Sequence, residues 1–86
     1  MYQLVLGPAF QRQLKKIIKK KPRLKNKIKR IFYLLQKNIN HSSLKLHKLS
    51  GQSNWSVSVT DDIRIIFHLE GKQIFCLQIG SHDQVY

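Results

Sequence analysis

The spacing of apolar residues changes partway along this chain, and that change restricts its possible fold more than any other feature. Between residues 9 and 37, apolar side chains recur every three or four positions, which predicts two amphipathic helices. From residue 55 onward they alternate with polar residues, which predicts β-strands. A helical half followed by a strand half favours an α+β domain with its helices on one face of an antiparallel sheet.

Glycine, proline and asparagine residues divide the chain into elements. Gly7 and Pro8 follow a short strand and start the first helix, Pro22 separates the two helices, and Asn38 ends the second. The expected order is β-α-α-β-β-β, with a helical hairpin packed on one face of a small, mainly antiparallel four-stranded sheet. The length fits one domain, residues 1–86.

The three later strands are predicted to point their odd-numbered residues inward. These residues are Trp55, Val57, Val59, Ile63, Ile65, Phe67, Leu69, Phe75, Leu77 and Ile79. A slip of one residue would turn a core face outward, so each hairpin loop should hold an odd number of residues. Loops 60–62 and 70–72 meet this condition. They would align Ser58, Arg64 and Gln78 across the outer face of the sheet.

Positive charge is concentrated in the predicted helices, where acidic residues are absent. The chain has 16 Lys and Arg against 4 Asp and Glu; eleven of the basic residues lie between Arg12 and Arg30, and no acid precedes Asp61. Such like-charged helices are either a solvated polar face or a surface for an external polyanion, and the absence of acids favours the polyanion, either nucleic acid or an acidic protein. A membrane surface fits less well, because the apolar stripes are needed to cover the sheet. The candidate RNA-binding residues are Lys15, Lys16, Lys19, Lys20, Arg23, Lys27, Arg30 and Lys48.

The sequence also argues against several classes of protein. A single cysteine, Cys76, cannot form an internal disulfide, and there is neither a secretory signal nor an apolar run of the roughly 20 residues that span a membrane, so a cytoplasmic protein is expected. The sequence has no P-loop, nucleophile elbow or carboxylate-rich site, and its histidine spacings form no zinc set. Chemistry without a metal or cofactor is therefore predicted.

One arginine and two histidines are the candidate catalytic groups. Arg64 lies within a predicted strand, where it is either an ordinary surface cation or a clamp whose planar guanidinium matches two phosphate oxygens. His47 and His82 flank the sheet, whereas His41 and His68 are expected to be structural. Cleaving RNA through its own 2′-hydroxyl needs a proton acceptor, a proton donor and a cation on the phosphate.

The order of elements and the motifs within them resemble the RelE/ParE superfamily of toxins from bacterial type II toxin–antitoxin systems. HKLSG precedes WSVSVTDDIRIIF, a segment similar to the RelE and YoeB pattern, and the ending IGSHDQVY is similar to the YafQ pattern. The resemblance spans essentially the whole chain. It implies an endoribonuclease that enters the ribosomal A site and cleaves mRNA without metal. It also implies a cognate acidic antitoxin as partner, in a toxin–antitoxin hetero-oligomer.

The resemblance further implies roles for five residues. Arg64 matches the arginine that stabilises the scissile phosphate, and His82 matches the group that protonates the leaving oxygen. Tyr86 matches a terminal aromatic that orients or stacks on a base. His47 matches the histidine of the HxLxG motif in YafQ-like members, and Asp62 approximately matches their turn aspartate. The basic helices would contact ribosomal RNA.

Two alternatives stay open. The ParE branch of the same fold poisons DNA gyrase, but it lacks the C-terminal histidine and aromatic that this chain has in His82 and Tyr86. A catalytically weak RNA-binding homologue is the second alternative, because active members carry Lys, Arg or His where this chain has Ser56 and Ser58.

Overall fold

A computed structural model describes residues 1–49 and 54–81 and confirms the α+β class. The elements are β1 (Gln3–Leu6), α1 (Pro8–Lys20), α2 (Leu24–Lys37), β2 (His47–Lys48), β3 (Asn54–Ser58), β4 (Ile63–Glu70) and β5 (Gln73–Ser81), with a short 3-10 turn at Ser42–Leu44. The strand order is β1-β5-β4-β3-β2. β1 runs parallel to β5, and the other neighbouring strands are antiparallel.

Within residues 1–49 and 54–81 the sheet has five strands, one more than the sequence predicts. The additional strand, β2, has two residues and pairs with β3 at the edge of the sheet, with His47 opposite Ser56 and Lys48 opposite Trp55. Two residues are too few to give an alternating signal, so the sequence indicated a loop there. The expectation that this loop delivers His47 to the sheet edge is confirmed.

Both helices cover the same face of the sheet with their apolar stripes. Pro8 lies in the first turn of α1, where its fixed φ suits a helix start and its missing N–H costs nothing. α2 contributes five buried aliphatic residues, Leu24, Ile28, Ile31, Leu34 and Leu35. They form one core with Phe10 and with Val57, Ile65 and Phe67 of the sheet. In the described part of the chain, neither helix is long and apolar enough to cross a membrane.

The turn between β4 and β5 is shorter than predicted. Glu70 lies opposite Gln73, so only Gly71 and Lys72 remain in the turn, and the predicted three-residue loop is wrong. Gly71 has a φ of 58°, a left-handed value that glycine adopts without steric cost and that tight hairpin turns require. Alternation of apolar residues cannot count the residues in such a turn.

A β-bulge in β5 compensates for the shorter turn. Phe67 lies opposite Cys76, while its neighbour Ile66 lies opposite Gln78. Leu77 is therefore the extra residue on β5, with no partner on β4. The two-residue turn on its own would point the odd-numbered residues of β5 outward. The bulge corrects this for the end of the strand, where Ile79 again faces the same side as Ile65.

The bulge also decides which side chains of β5 face the helices. Ile74 and Cys76 belong to the core before it, and Ile79 does so after it. The predictions that Phe75 and Leu77 point inward are therefore wrong. Phe75 is half-buried outside the core cluster, and Leu77 is exposed.

Candidate functional site

The helices leave the second face of the sheet uncovered, and several candidate residues lie on it. Residues opposite each other in an antiparallel pair share a face, so His47 shares a face with Ser56 and Ser58 shares one with Arg64. Both pairs lie on the same side, because Ser56 and Ser58 are two residues apart on β3. We call this side of the sheet the open face and the side under the helices the covered face. The predicted Ser58–Arg64 pairing is confirmed, with 60–62 as its loop.

The predicted partner of Arg64 on the next strand is wrong. Gly80, and not Gln78, lies opposite Arg64 on β5. Gln78 lies opposite Ile66, displaced along the same face by the combined effect of the turn and the bulge. The position beside Arg64 on β5 therefore contributes no side chain to the open face.

Two of the three guanidinium nitrogens of Arg64 are anchored. Nε and Nη2 donate hydrogen bonds of 3.3 and 3.0 Å to the hydroxyl oxygen of Ser56, a fully buried residue with 0% of its surface exposed. Nη2 also donates to the backbone carbonyl of Lys45 at 3.4 Å. Nη1 has no hydrogen-bond partner among residues 1–49 and 54–81. These contacts fix the plane of the half-buried guanidinium and leave the N–H groups of Nη1 available to a ligand.

The loop that supplies the Lys45 carbonyl is shaped by its own contacts. Nδ1 of His41 accepts a hydrogen bond of 3.1 Å from the Ser43 backbone N–H and lies 2.8 Å from the Ser43 hydroxyl. Leu44 anchors the loop in the core with 0% exposure. Lys45 then adopts a left-handed φ of 48°, which costs a residue with a side chain about 1–2 kcal/mol. His41 thus has the structural contacts expected of it.

His68 also has structural contacts, although it lies on the same face as Arg64. Its Nδ1 is 2.9 Å from the Asn54 side-chain oxygen and its Nε2 is 3.6 Å from a Glu70 carboxylate oxygen. The imidazole also lies near the Phe75 ring, with 6.3 Å between centroids. Both ring nitrogens face partners, so His68 is less suited than His47 to exchange a proton with a ligand.

Asp62 is separated from the other candidates. It lies in the exposed turn before β4, where its backbone N–H donates to the Thr60 hydroxyl at 3.2 Å. It also lines a groove of about 560 Å³ between α1 and the ends of β4 and β5, together with Lys16, Lys20 and Lys21. Arg64 does not line this groove. The structure therefore brings His47 and Arg64 to the open face and places Asp62 beside basic residues of α1.

The candidate RNA-binding residues are all exposed. They are Lys15, Lys16, Lys19, Lys20, Arg23, Lys27, Arg30 and Lys48. Within the described part of the chain, the only ion pair is that of His68 with Glu70, so none of these cations is neutralised there. Lys48 lies on the edge strand with its ammonium 5.6 Å from the centre of the Trp55 ring, a cation–π contact.

His82 and Tyr86 lie outside the described residues, and their roles stay predictions. The last described residue, Ser81, is opposite Ile63 and follows the glycine that is opposite Arg64.

Two contributors to the site were not predicted, namely the hydroxyl of Ser56 and the carbonyl of Lys45. Ser56 was interpreted only as a position from which a basic residue is missing. Its parity places it on the outer face, but no sequence signal shows that it is buried and accepts from Arg64.

The described part of the molecule has neither a metal-binding cluster nor a reactive thiol. Its His, Cys, Asp and Glu residues form no group of three that could hold a metal ion. Burial raises the pKa of Cys76 to about 12, which keeps this thiol protonated and unreactive near neutral pH. The chemistry available on the open face is therefore that of a fixed guanidinium and of an exposed imidazole two strands away on the same face.

Comparison with known proteins agrees with this architecture. A family model described as "Bacterial toxin of type II toxin-antitoxin system, YafQ" matches residues 2–86. No curated protein sequence is similar enough to count as a match.

Several solved structures resemble the chain closely in fold. In the E. coli DinJ-YafQ complex, the similar chain is 22% identical, with a TM-score of 0.85 over 100% of this chain and 99% of that one. A metal-bound toxin from Helicobacter pylori is 16% identical, with a TM-score of 0.82 over 100% of both chains. A YoeB/ParE toxin from Agrobacterium tumefaciens is 18% identical, with a TM-score of 0.80 over 95% of this chain and 99% of that one. At such low identities the likeness shows the fold alone.

Proposed function

The chain belongs to the YafQ family of bacterial type II toxin–antitoxin toxins, within the RelE superfamily, and from this membership we propose that it is a ribosome-dependent mRNA endoribonuclease. The observation that carries the proposal is the anchored guanidinium of Arg64 on the open face. A cation held in a fixed plane, on the same face of the sheet as an exposed imidazole, suits a reaction on a phosphodiester.

Arg64 is proposed to bind the scissile phosphate. Its Nη1, which has no partner among the described residues, would donate its two N–H groups to the non-bridging oxygens. The negative charge on these oxygens grows as the 2′-oxygen attacks, so a cation already in place stabilises the transition state more than the ground state. Ser56 and the Lys45 carbonyl contribute by holding the guanidinium in that orientation.

His47 is proposed as the proton acceptor. It is exposed on β2, directly opposite the serine that anchors Arg64, so its imidazole shares the open face with the guanidinium. It would take the proton of the 2′-hydroxyl as the 2′-oxygen bonds to phosphorus, while the bond from phosphorus to the 5′-oxygen breaks. His82 would donate a proton to that leaving oxygen, and Tyr86 would stack on a base; both roles derive from the family resemblance. The products are a 2′,3′-cyclic phosphate and a free 5′-hydroxyl.

The basic helices are proposed to direct this chemistry to the ribosome. Their cations are exposed and unpaired within the described residues, as expected of a surface that binds the phosphates of ribosomal RNA. The same excess of charge supports an acidic antitoxin as the cognate partner. A similar chain, YafQ from E. coli, forms a toxin–antitoxin complex with DinJ.

Replacement of Arg64 tests the proposal. We expect Arg64→Ala to reduce cleavage of mRNA on programmed ribosomes by about 10²–10³-fold, the usual effect of removing a group that stabilises transition-state charge. Primer extension would locate and quantify the cuts. Lys72→Ala is the control, because it removes an exposed cation from the turn between β4 and β5, outside both helices, and should cleave at the wild-type rate. Equal cleavage by both variants would contradict the role of Arg64.

A catalytically weak RNA-binding homologue is the second candidate, because hydroxyls occupy positions 56 and 58. Wild-type protein that binds ribosomes without cutting mRNA would support it. DNA damage with intact mRNA in induced cells would instead indicate a gyrase poison.

A further inference from the structure

The outward side of α2 carries an exposed aromatic residue. Tyr33 has 58% of its surface exposed and is the only exposed aromatic residue in the described part of the chain. It belongs neither to the core nor to the partly buried residues that pack against it. No hydrogen bond within the described residues involves its hydroxyl group. Folding therefore gives no reason for an aromatic side chain at this position.

Cations surround Tyr33 on the helix surface. At 3.6 residues per turn, Lys29 and Lys37 lie one turn before and after it, and Arg30 lies three residues before it. All three are exposed, and the buried stripe lies on the opposite side of α2. We call the surface formed by Lys29, Arg30, Tyr33 and Lys37 the tyrosine ridge.

The tyrosine ridge combines two features that nucleic acid recognises separately. Its three positive side chains have no acidic neighbour on the helix and match a phosphate backbone. Its ring offers a flat apolar face on which an unpaired base of any identity can stack. An acidic protein would be attracted by the cations but would not need the ring, which is 58% exposed on the outward side of α2.

We propose that the tyrosine ridge binds an unpaired nucleotide of RNA, with its base stacked on Tyr33 and the flanking phosphates held by Lys29, Arg30 and Lys37. The proposal rests on the proposed function in taking RNA as the target, and it adds the type of RNA element that α2 recognises. The ridge lies on α2, which packs on the covered face, so it serves binding and not cleavage.

Binding to an RNA that cannot be cleaved tests this proposal without depending on catalysis. The probe is a fluorescently labelled 2′-O-methyl oligoadenylate, which has no free 2′-hydroxyl, and the readout is fluorescence anisotropy. We expect Tyr33→Ala to weaken binding by about tenfold, the usual size of one lost base stack. Tyr33→Phe keeps the ring and should bind within about twofold of the wild type. Leu77→Ala, which removes another exposed apolar side chain, should leave binding unchanged.

Salt dependence separates the ring from the cations. Tyr33→Ala should lower affinity without changing the slope of log affinity against log salt, because no charge is lost. Lys29→Gln should reduce that slope by about 0.7, the value for one phosphate contact on a single strand. A fully paired duplex of the same length should bind equally to wild type and Tyr33→Ala, since its bases are already stacked.

Three results would overturn the proposal: wild-type affinity in Tyr33→Ala, an equal loss in Tyr33→Phe, or an equal loss on the duplex. Polyglutamate binding that is weakened by Tyr33→Ala would also overturn it, in favour of an acidic protein partner. Failure of this proposal can be told apart from failure of the proposed function. If the proposed function is wrong, Arg64→Ala and wild type cleave alike, but the binding results for Tyr33 remain. Circular dichroism confirms that the variants are folded.

Discussion

The two faces of the same sheet are stabilised in different ways. On the covered face, Val57, Ile65 and Phe67 are 0% exposed and pack against apolar residues of the helices. On the open face, Arg64 is held by directed hydrogen bonds to one hydroxyl and one carbonyl. Packing distributes stability over many side chains, whereas the hydrogen bonds of Arg64 depend on two groups. Substitutions on the first face should therefore affect stability, and those on the second should affect activity.

The largest effect on stability is expected from Phe67→Ala. Phe67 is fully buried between the helices and the sheet, so its truncation removes apolar contacts and leaves a cavity. We expect the free energy of unfolding, measured by urea denaturation, to fall by about 3–5 kcal/mol. Gln78→Ala, an exposed change on the open face, should stay within about 0.5 kcal/mol. Similar losses in the two variants would remove the distinction between the faces.

A pH effect is expected from Cys76, on the covered face. Its pKa is about 12 in the folded protein and 9.0 for an exposed thiol, so the unfolded chain releases the proton first as pH rises. Below pH 9 the thiol is protonated in both the folded and the unfolded chain, so its full contribution to stability is present. Between pH 9 and 12 only the unfolded chain loses the proton, and the folding equilibrium constant falls by about tenfold per pH unit. Cys76→Ala removes this dependence.

Urea denaturation of wild type and Cys76→Ala at pH 7 and pH 10 measures this effect. Lysine and tyrosine titrations are common to both proteins and cancel in the difference. We expect the wild-type advantage at pH 7 to shrink at pH 10. A difference that is the same at both pH values would show that the thiol is not shielded from water.

The covered face was largely predictable, because alternation of apolar residues reports directly on burial. Val57, Ile65 and Ile79 point inward as their spacing predicts. The errors at Phe75 and Leu77 come from two features, a two-residue turn and a bulge. Each shifts the register by one residue, and the spacing of apolar residues reveals neither of them. The strand β2 was missed because two residues give no pattern.

The open face was predictable only in part. A charge within an apolar strand marked Arg64 as a candidate, and the parity of β3 and β4 was enough to pair it with Ser58. The anchor at Ser56 was not predictable, because the direction of a long arginine side chain depends on three-dimensional contacts that spacing does not encode. The left-handed Lys45 was missed for the same reason.

Ser56→Ala should combine a small loss of stability with a specific effect on activity. This change removes the oxygen that accepts from both Nε and Nη2, leaving Arg64 with the Lys45 carbonyl as its hydrogen-bond partner among the described residues. We expect the free energy of unfolding to fall by about 1 kcal/mol and cleavage of mRNA to slow by about tenfold, since the guanidinium is no longer oriented toward the phosphate.

Ser58→Ala is the matched control, because Ser58 lies on the same strand and face but its hydroxyl donates to the Thr60 carbonyl at 2.8 Å and not to Arg64. Its loss should cost similar stability and leave cleavage at the wild-type rate. The effect of Ser56→Ala should appear in kcat, because Arg64 can still attract phosphate when it is mobile but no longer meets the transition state in a fixed plane. Equal activities in the two serine variants would mean that the guanidinium needs no anchor, and the open face would then act through charge alone.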